Sequence, residues 1–332
     1  MADTKAEQPE RRDVDVDADG DIILALPKNL YIRVSSAVLS LVSPVSKAML
    51  GPHFREGNQP RSSAHPNEIP LPEDDGIAMK HLCLLIHGRT GDSYSHGDRT
   101  FPTQIRALAL LADKYDCAEA VALQAEAMLS RFWMHRANKQ LVIQQMACLI
   151  TASATLGLGP LFHVFTKSLV LDYCTTYSVA NTGFPPFTLL QLEQQRSTAR
   201  LKVHEEIVRM TPDIVFCKTC CKREVPMPNL AAVSNVLSQK SEPTTWPPEY
   251  VKTSLRNVLS KILIAPDIHF DAKTPCGHGA RAVIKSTKVS AKAIAIYDAV
   301  GLCLPCIKNG GKQTNSCNHE EDKTIAGALS AA

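Results

Sequence analysis

The sequence lacks the short motifs that mark the common nucleotide-binding and hydrolytic sites. It has no G-x-S-x-G, no G-x-G-x-x-G after an apolar run and no Walker loop. Gly311-Lys312 is followed by Gln313 and has no upstream glycine at the required spacing. The formal net charge is only +3, which excludes a protein that binds nucleic acid or membrane surfaces through overall charge alone. Because the catalytic and nucleotide-binding motifs are missing, we expect no enzymatic activity.

A long apolar run that could cross a membrane is also missing. Residues 140–166 carry no Lys, Arg, Asp or Glu, but Gln144-Gln145 interrupts the run, and Gly157, Gly159 and Pro160 break its helical pattern. This pattern favours two buried helices. The start of the sequence also lacks the basic and apolar segments of a signal peptide, so we expect a soluble intracellular protein, in the nucleus or the cytoplasm. The eleven cysteines then indicate free thiols and metal ligands rather than disulfides.

The stretch from Asp21 to Gly88 carries the clearest secondary-structure pattern. Two short apolar strands flank Pro27-Lys28-Asn29, whose residue types are typical of a turn. A third strand is expected around Ile69. The order of the predicted elements is strand, strand, helix, helix, strand, helix, which indicates a small α+β unit with a three-stranded sheet.

The helices of this stretch are predicted from their capping residues. One begins after a cap at Ser35 or Ser36, a second begins at Ser43-Pro44, and a third runs from Ile77 to His87 after a group of acidic residues. We expect the second helix to bury Val45, Ala48 and Met49. Two later helices are predicted from apolar side chains at helical spacing. The apolar side chains are Ile105, Leu108, Leu111, Ala112 and Tyr115 in the first helix and Val121, Ala125, Met128 and Phe132 in the second.

The order of these elements and many of their residues resemble the BTB/POZ domain over roughly residues 20 to 135. The matching positions are Asp21, Ile23, Val34, Ala37-Val38-Leu39, Ser43-Pro44, Ala48-Met49-Leu50, Phe54, Glu56, Ile69, Leu71-Pro72-Glu73-Asp74 and Leu85-Ile86-His87-Gly88. Ser35-Ser36 stands where the family often has a histidine, and serine there is similar to fungal members. Leu30-Tyr31 replaces the usual phenylalanine at a strand start.

The resemblance implies a protein–protein interaction scaffold or adaptor that self-associates and recruits protein partners. Many members of the family bind a cullin ubiquitin-ligase scaffold through a hydrophobic-x-Glu motif, and Phe54-Arg55-Glu56 stands at that place. The resemblance therefore implies partner-binding roles for Phe54, Arg55 and Glu56, in a substrate adaptor for a cullin ligase. The alternative is that Phe54 packs in the core and Glu56 is merely solvated.

The last third of the chain carries four pairs of cysteine and histidine residues. They are Cys217 and Cys220, Cys276 and His278, Cys303 and Cys306, and Cys317 and His319. Such spacings let two ligands reach one ion, and zinc takes four thiolate or imidazole ligands, so eight ligands suffice for two closed structural sites. Our preferred pairing joins Cys217/Cys220 with Cys276/His278 and Cys303/Cys306 with Cys317/His319. An interleaved pairing stays open, as does a role for Cys221 in place of Cys220.

The same region is basic, which raises a second hypothesis. Residues 217–312 contain fourteen Lys or Arg and six Asp or Glu, a net charge of +8. A nuclear regulator whose zinc module contacts nucleic acid is therefore the alternative function. No C-x-x-C…H-x-x-x-H finger and no aromatic stacking platform accompany these charges, so a solvated basic face is the simpler interpretation.

The predicted organisation has five parts. Residues 1–19 form a disordered acidic arm, because residues 1–21 hold eight acidic and three basic side chains and few apolar ones. Residues 20–135 form the BTB/POZ-like domain, 136–210 a helical extension, 211–320 the zinc module and 321–332 a loose tail. The isolated residues Cys83, Cys117, Cys148 and Cys174 are expected to be buried core cysteines.

Overall fold

The computed structural model describes residues 11–89, 99–136, 140–210, 214–216, 224–226, 253–263, 268–273, 279–284 and 286–310. By its internal contacts the chain divides into two compact units. Of the described residues, those up to His163 form the first unit and those from Val164 onward form the second. The domain boundaries expected near residues 135 and 210 stay predictions.

The first unit is built on a mixed sheet. Its described strands are β1 (Arg12–Asp15), β2 (Ile22–Leu26), β3 (Leu30–Val34) and β4 (Asn67–Pro70). They lie in the order β1-β3-β2-β4, with β2 and β3 antiparallel and each outer strand parallel to its neighbour. Lys28 and Asn29 have φ angles of 60° and 56°, which suit a tight turn between twisted strands. The two apolar strands and their turn are thus confirmed.

The sheet has four strands rather than the expected three, and the extra strand lies within the segment expected to be a disordered arm. The Arg12 N–H donates to the Asn29 carbonyl at 2.8 Å, and the Val16 N–H donates to the Arg33 carbonyl at 3.1 Å. Val16 is only 2% exposed. Backbone hydrogen bonds to the edge of β3 do not depend on side-chain hydrophobicity, so an acidic segment with alternate valines forms a strand. The prediction of disorder is wrong for Arg12–Asp15.

Short helices cover the sheet, and their caps agree with the sequence. The helices are α1 (Ser36–Val42), α2 (Pro44–Met49), α3 (Arg55–Asn58) and α4 (Gly76–Ile86). Ser35 caps α1, accepting the Val38 N–H at 3.4 Å, and Ser43 caps α2, accepting the Ser46 N–H at 2.9 Å. Asp75 caps α4 by accepting the Ala78 N–H at 2.9 Å.

Longer helices complete the core of the first unit. They are α5 (Phe101–Lys114), α6 (Ala118–His135) and α7 (Ile143–Thr155), and α7 packs against α5. The rings of Phe101 and Phe132 stack with centroids 4.6 Å apart. All the apolar residues predicted to face the core from α5 and α6 are buried. The helical pattern of this part of the sequence was therefore interpreted correctly.

In its described part, the second unit is mainly helical and contains two small hairpins. The boundary between the units falls within α8 (Gly159–Asp172). The later helices are α9 (Val179–Thr182), α10 (Pro186–Met210), α11 (Leu255–Leu263), α12 (Ser286–Asp298) and α13 (Leu304–Lys308). The hairpins are β5 (Ile214–Phe216) with β6 (Glu224–Pro226) and β7 (Ile268–Lys273) with β8 (Gly279–Ile284).

The uncharged run of the sequence does not form one continuous helix in the described part of the chain. The uncharged run of residues 140–166 is divided between α7 and α8. Within the residues described above, no helix is both long enough and apolar enough to span a bilayer.

Candidate interaction surface and metal-binding residues

Apolar side chains are exposed on three consecutive helices of the first unit. Leu41 on α1 is 85% exposed, Val45 on α2 is 40% exposed, and Phe54 at the start of α3 is 50% exposed. We call Leu41, Val45 and Phe54 the α1–α3 surface. Large exposed apolar patches are typical of surfaces that contact other proteins, so these three side chains are the candidates for such a contact in this part of the chain.

The orientation of α2 corrects the sequence-based expectation. Val45 and Ala48 were expected in the core, but both are exposed, and Met49 is half-buried. The helix instead turns its serines inward: Ser43 is 1% exposed and Ser46 is 3% exposed. A polar side chain can face a core when it is hydrogen-bonded there, and the apolar face of α2 then points outward.

The segment that carries Phe54-Arg55-Glu56 is held by hydrogen bonds from the Asn58 side chain and by a close approach of Gly57 to Gly51. The Asn58 side-chain amide donates to the carbonyls of Pro52 at 2.8 Å and Phe54 at 3.2 Å. A Cβ atom at Gly57 would lie 1.9 Å from the Gly51 carbonyl oxygen, so this close approach requires glycine. Arg55 is exposed like Phe54, while Glu56 is half-buried. The exposure of Phe54 does not fit the alternative in which this ring packs in the core.

Two polar groups anchor the start of α1. Asp21 accepts the Ser36 backbone N–H at 2.7 Å and the Ser36 hydroxyl at 2.6 Å. Burial opposes ionisation of Asp21, but the hydrogen bonds from Ser36 prevail and lower its pKa. His87 accepts the Ser35 N–H at Nε2, at 3.2 Å, while its Nδ1 lies 2.8 Å from the Cys83 carbonyl. This geometry fits a neutral ring protonated on Nδ1, and burial lowers the His87 pKa.

A buried carboxylate connects α4, α5 and α2. Asp74, which is 5% exposed, accepts the Lys114 ammonium at 2.6 Å and the Tyr115 hydroxyl at 2.7 Å. The Tyr115 carbonyl in turn accepts the Ser43 hydroxyl at 2.6 Å. Burial raises the Tyr115 pKa, and the bond to Asp74 raises it further, so the phenol stays protonated and donates. This Asp74–Tyr115–Ser43 cluster fixes the N-terminus of α2.

Of the predicted metal ligands, the structure describes only Cys303 and Cys306. Cys303 caps α13 and is 7% exposed, and Cys306 is half-buried at the third position of that helix. Cys217, Cys220, Cys276, His278, Cys317 and His319 lie outside the described residues, as does Cys221. Among the side chains that the structure describes, no three His, Cys, Asp or Glu residues form a group that could hold a metal ion. The predicted zinc sites stay predictions.

The isolated cysteines behave largely as core residues. Cys83, Cys117 and Cys148 are buried, and Cys174 is half-buried. Burial raises the pKa of Cys83 to about 12 and that of Cys117 to about 11, which keeps both as thiols at neutral pH. These two cysteines line a small apolar cavity beneath α1 and α2 together with Met49, Met79 and Tyr115.

Sequence reasoning missed Leu41 and Asp74 as residues of interest. Leu41 lies within an apolar run, and no local signal shows that it faces outward. Asp74 was grouped with Glu73 and Asp75 as an acid near the start of α4. The structure turns Asp74 inward and leaves only Asp75 as the cap.

The fold defines an α+β unit, with a four-stranded mixed sheet and helices, followed by a mainly helical region. Comparison with protein-family models and with curated proteins finds no match for the sequence. The functional argument therefore depends on the residues and geometry of this chain.

Proposed function

We propose that this protein is a non-enzymatic interaction scaffold or adaptor whose N-terminal domain is of the BTB/POZ type. The observation that carries the proposal is the α1–α3 surface, where Leu41, Val45 and Phe54 are exposed on consecutive helices. The order of strands and helices along residues 20–135 supports the family assignment. An exposed apolar surface suits a partner with a complementary apolar surface.

The first partner proposed for this surface is a second copy of the chain. Leu41 is the most exposed large apolar side chain among the described residues, and burying a leucine on association contributes about 1.5–3 kcal/mol. A charge at this position would have to be desolvated in the interface, and Leu41→Asp should therefore separate the copies.

The matched control is Leu123→Asp on α6. Leu123 is 76% exposed in the same unit and lies outside the α1–α3 surface. Sedimentation equilibrium should give a dimer for the wild type and for Leu123→Asp, and a monomer for Leu41→Asp. A wild-type protein that stays monomeric at high micromolar concentration would refute self-association.

The second proposed partner is a cullin scaffold, bound through Phe54-Arg55-Glu56. The support is that Phe54 and Arg55 are exposed and that the Asn58 side chain donates hydrogen bonds to two carbonyls of this segment. The double variant Phe54→Ala/Glu56→Ala should lose co-purification of the cullin from native cells. The control is Leu110→Ala, which shortens an exposed apolar side chain on α5. Unchanged recovery in the double variant would remove the ligase role and leave self-association intact.

We also propose that zinc stabilises the C-terminal region. The positions of the cysteine and histidine pairs relative to the two hairpins support this proposal. Cys217 and Cys220 lie in the sequence between β5 and β6, Cys276 and His278 lie between β7 and β8, and β5 packs against β8. Neighbouring hairpins suit a shared ion, so we retain the pairing of these four residues. Cys303 and Cys306 then pair with Cys317 and His319.

Metal analysis of the purified full-length chain tests this proposal. Protein prepared without chelators should contain one or two zinc ions, and chelation should lower its thermal stability because ligand binding and folding are coupled. The control is a magnesium or calcium salt, which should not restore stability after chelation, since these ions prefer oxygen ligands. Zinc well below one ion per chain would refute the proposal.

A further inference from the structure

The two residues that precede Cys303 are held by an unusual set of side-chain contacts. The Gly301 N–H donates to Oε1 of Gln195 at 3.0 Å, and Nε2 of Gln195 donates to the Gly301 carbonyl at 3.0 Å. One side-chain amide from α10 therefore pairs with both backbone groups of a single residue. Gly301 has φ of 123°, a conformation that favours glycine.

The next residue is fixed from a different helix. The Leu302 N–H donates to the Thr166 hydroxyl of α8 at 3.0 Å, and this hydrogen bond is buried. Thr166 and Leu302 are both fully buried, and Leu304 is 4% exposed. The backbone on either side of Cys303 is thus anchored to the body of the second unit by hydrogen bonds and by apolar packing.

This anchoring fixes the geometry of the cysteine pair. Cys303 is the cap of α13, Cys306 is its third residue, and the Ile307 N–H donates to the Cys303 carbonyl at 3.1 Å. Side chains three residues apart on a helical turn lie on the same side of it. Two sulfur ligands on one side of a fixed turn provide half of a tetrahedral zinc site.

We propose that Gln195 and Thr166 are positioning residues that hold Cys303-Leu-Pro-Cys306 as a pre-formed half of a zinc site. This inference rests on the zinc proposal above and adds two residues that the Cys/His pattern does not contain. Both residues precede the cysteines by more than a hundred positions in the sequence. Groups that orient metal ligands without contacting the metal typically change metal affinity by about 10- to 100-fold when they are lost.

The test uses the full-length chain loaded with Co²⁺ in place of zinc. Each thiolate bound to Co²⁺ adds to a charge-transfer absorbance, and zinc affinity follows from competition with a chromophoric chelator. Thr166→Val removes the acceptor and keeps the shape, while Thr166→Ser keeps the hydroxyl. Gln195→Met removes the amide at similar size. The matched control is Tyr177→Phe, which removes a buried hydrogen bond to the Leu169 carbonyl in the same unit.

We expect Thr166→Val and Gln195→Met to weaken zinc binding about 10-fold or more. Thr166→Ser and Tyr177→Phe should stay close to the wild type, and Cys303→Ser/Cys306→Ser should lose part of the charge-transfer absorbance. Unchanged affinity in Thr166→Val and Gln195→Met, in a protein that does bind zinc through Cys303 and Cys306, would overturn the positioning role alone. An equal loss in Tyr177→Phe would overturn it as well, because the effect would then be general destabilisation. A wild-type chain without metal, or a double cysteine variant with unchanged absorbance, would overturn the zinc site and this inference together.

Discussion

Removal of the Tyr115 hydroxyl should destabilise the first unit far more than an ordinary Tyr→Phe substitution does. The hydroxyl donates to the buried Asp74 carboxylate at 2.7 Å, and hydrogen bonds to charged groups are worth about 1.5–3 kcal/mol. Tyr115→Phe leaves one side of Asp74 without its donor in a site where the carboxylate is 5% exposed. We expect Tyr115→Phe to lower the free energy of unfolding by about 2 kcal/mol.

Asp74→Ala should cost more, because it removes the acceptor of two donors. The Lys114 side chain is 53% exposed and therefore adds only about 0.5 kcal/mol to the cost, since solvent screens the pair. The Tyr115 hydroxyl becomes a buried donor without its carboxylate, so we expect a total of about 3 kcal/mol. The double variant should show a coupling energy of about 1.5 kcal/mol between the two side chains, as residues in direct contact do.

Urea unfolding monitored by tryptophan fluorescence measures these energies in the unit concerned. The chain has two tryptophans, and Trp133 on α6 is 5% exposed in the first unit. A Trp246→Phe background therefore isolates the signal of Trp133. Tyr31→Phe, on the half-buried face of β3, is the matched control and should change stability by less than about 0.5 kcal/mol. A coupling energy near zero would refute the role of the Asp74–Tyr115 pair.

Three further predictions follow from the same contacts. Burial lowers the pKa of His81 to about 4 and also lowers the pKa of His87. The stability that these neutral histidines contribute should therefore be fully present above the unfolded pKa of 6.5 and decline as pH falls below it. The slope is at most about 1.4 kcal/mol per pH unit for each histidine, and His87→Gln should flatten it in pH-dependent urea titrations. Ser43→Ala should lower the free energy of unfolding by about 1–3 kcal/mol, because it removes both the α2 cap and the hydrogen bond to the Tyr115 carbonyl. Ser43→Thr keeps the hydroxyl and should therefore lose less stability, and calorimetry measures both variants. Arg256→Lys should lower the free energy of unfolding of the second unit by only about 1 kcal/mol, because the Arg256 side chain is 43% exposed and solvent screens its ion pair with Asp172. A loss several times larger in thermal unfolding would contradict this.

Local signals in the sequence were sufficient for the strands β2, β3 and β4 and for the helix caps. Ser35, Ser43 and Asp75 each stand immediately before a helix and offer an oxygen to an N–H of its first turn, a role that depends only on neighbouring residues. The turn was equally readable, because Pro27 and Asn29 are typical turn residues, although nothing in the sequence indicates the positive φ of Lys28.

Non-local contacts explain what could not be predicted. The strand Arg12–Asp15 forms on β3, whose free edge is not visible in the local composition. The outward orientation of Val45 depends on a hydrogen bond between Ser43 and Tyr115, which are 72 residues apart in the sequence. Gln195 likewise meets Gly301 across 106 residues. Each of these contacts joins elements that only the folded chain brings together.

The polar anchors also explain how the α1–α3 surface can exist in a stable domain. Helices of seven and six residues, such as α1 and α2, do not form in isolation, because nucleation is costly and propagation too short to offset it. They would normally be held by burying an apolar face, yet here Leu41 and Val45 point outward. Asp21, His87 and the Tyr115 carbonyl accept hydrogen bonds from the starts of these helices and hold them, together with the buried side chain of Leu39. The exposure of Leu41 and Val45 therefore does not determine the stability of the first unit. Leu41→Asp should abolish association and leave the unfolding free energy of the monomer nearly unchanged, whereas Ser43→Ala should weaken both.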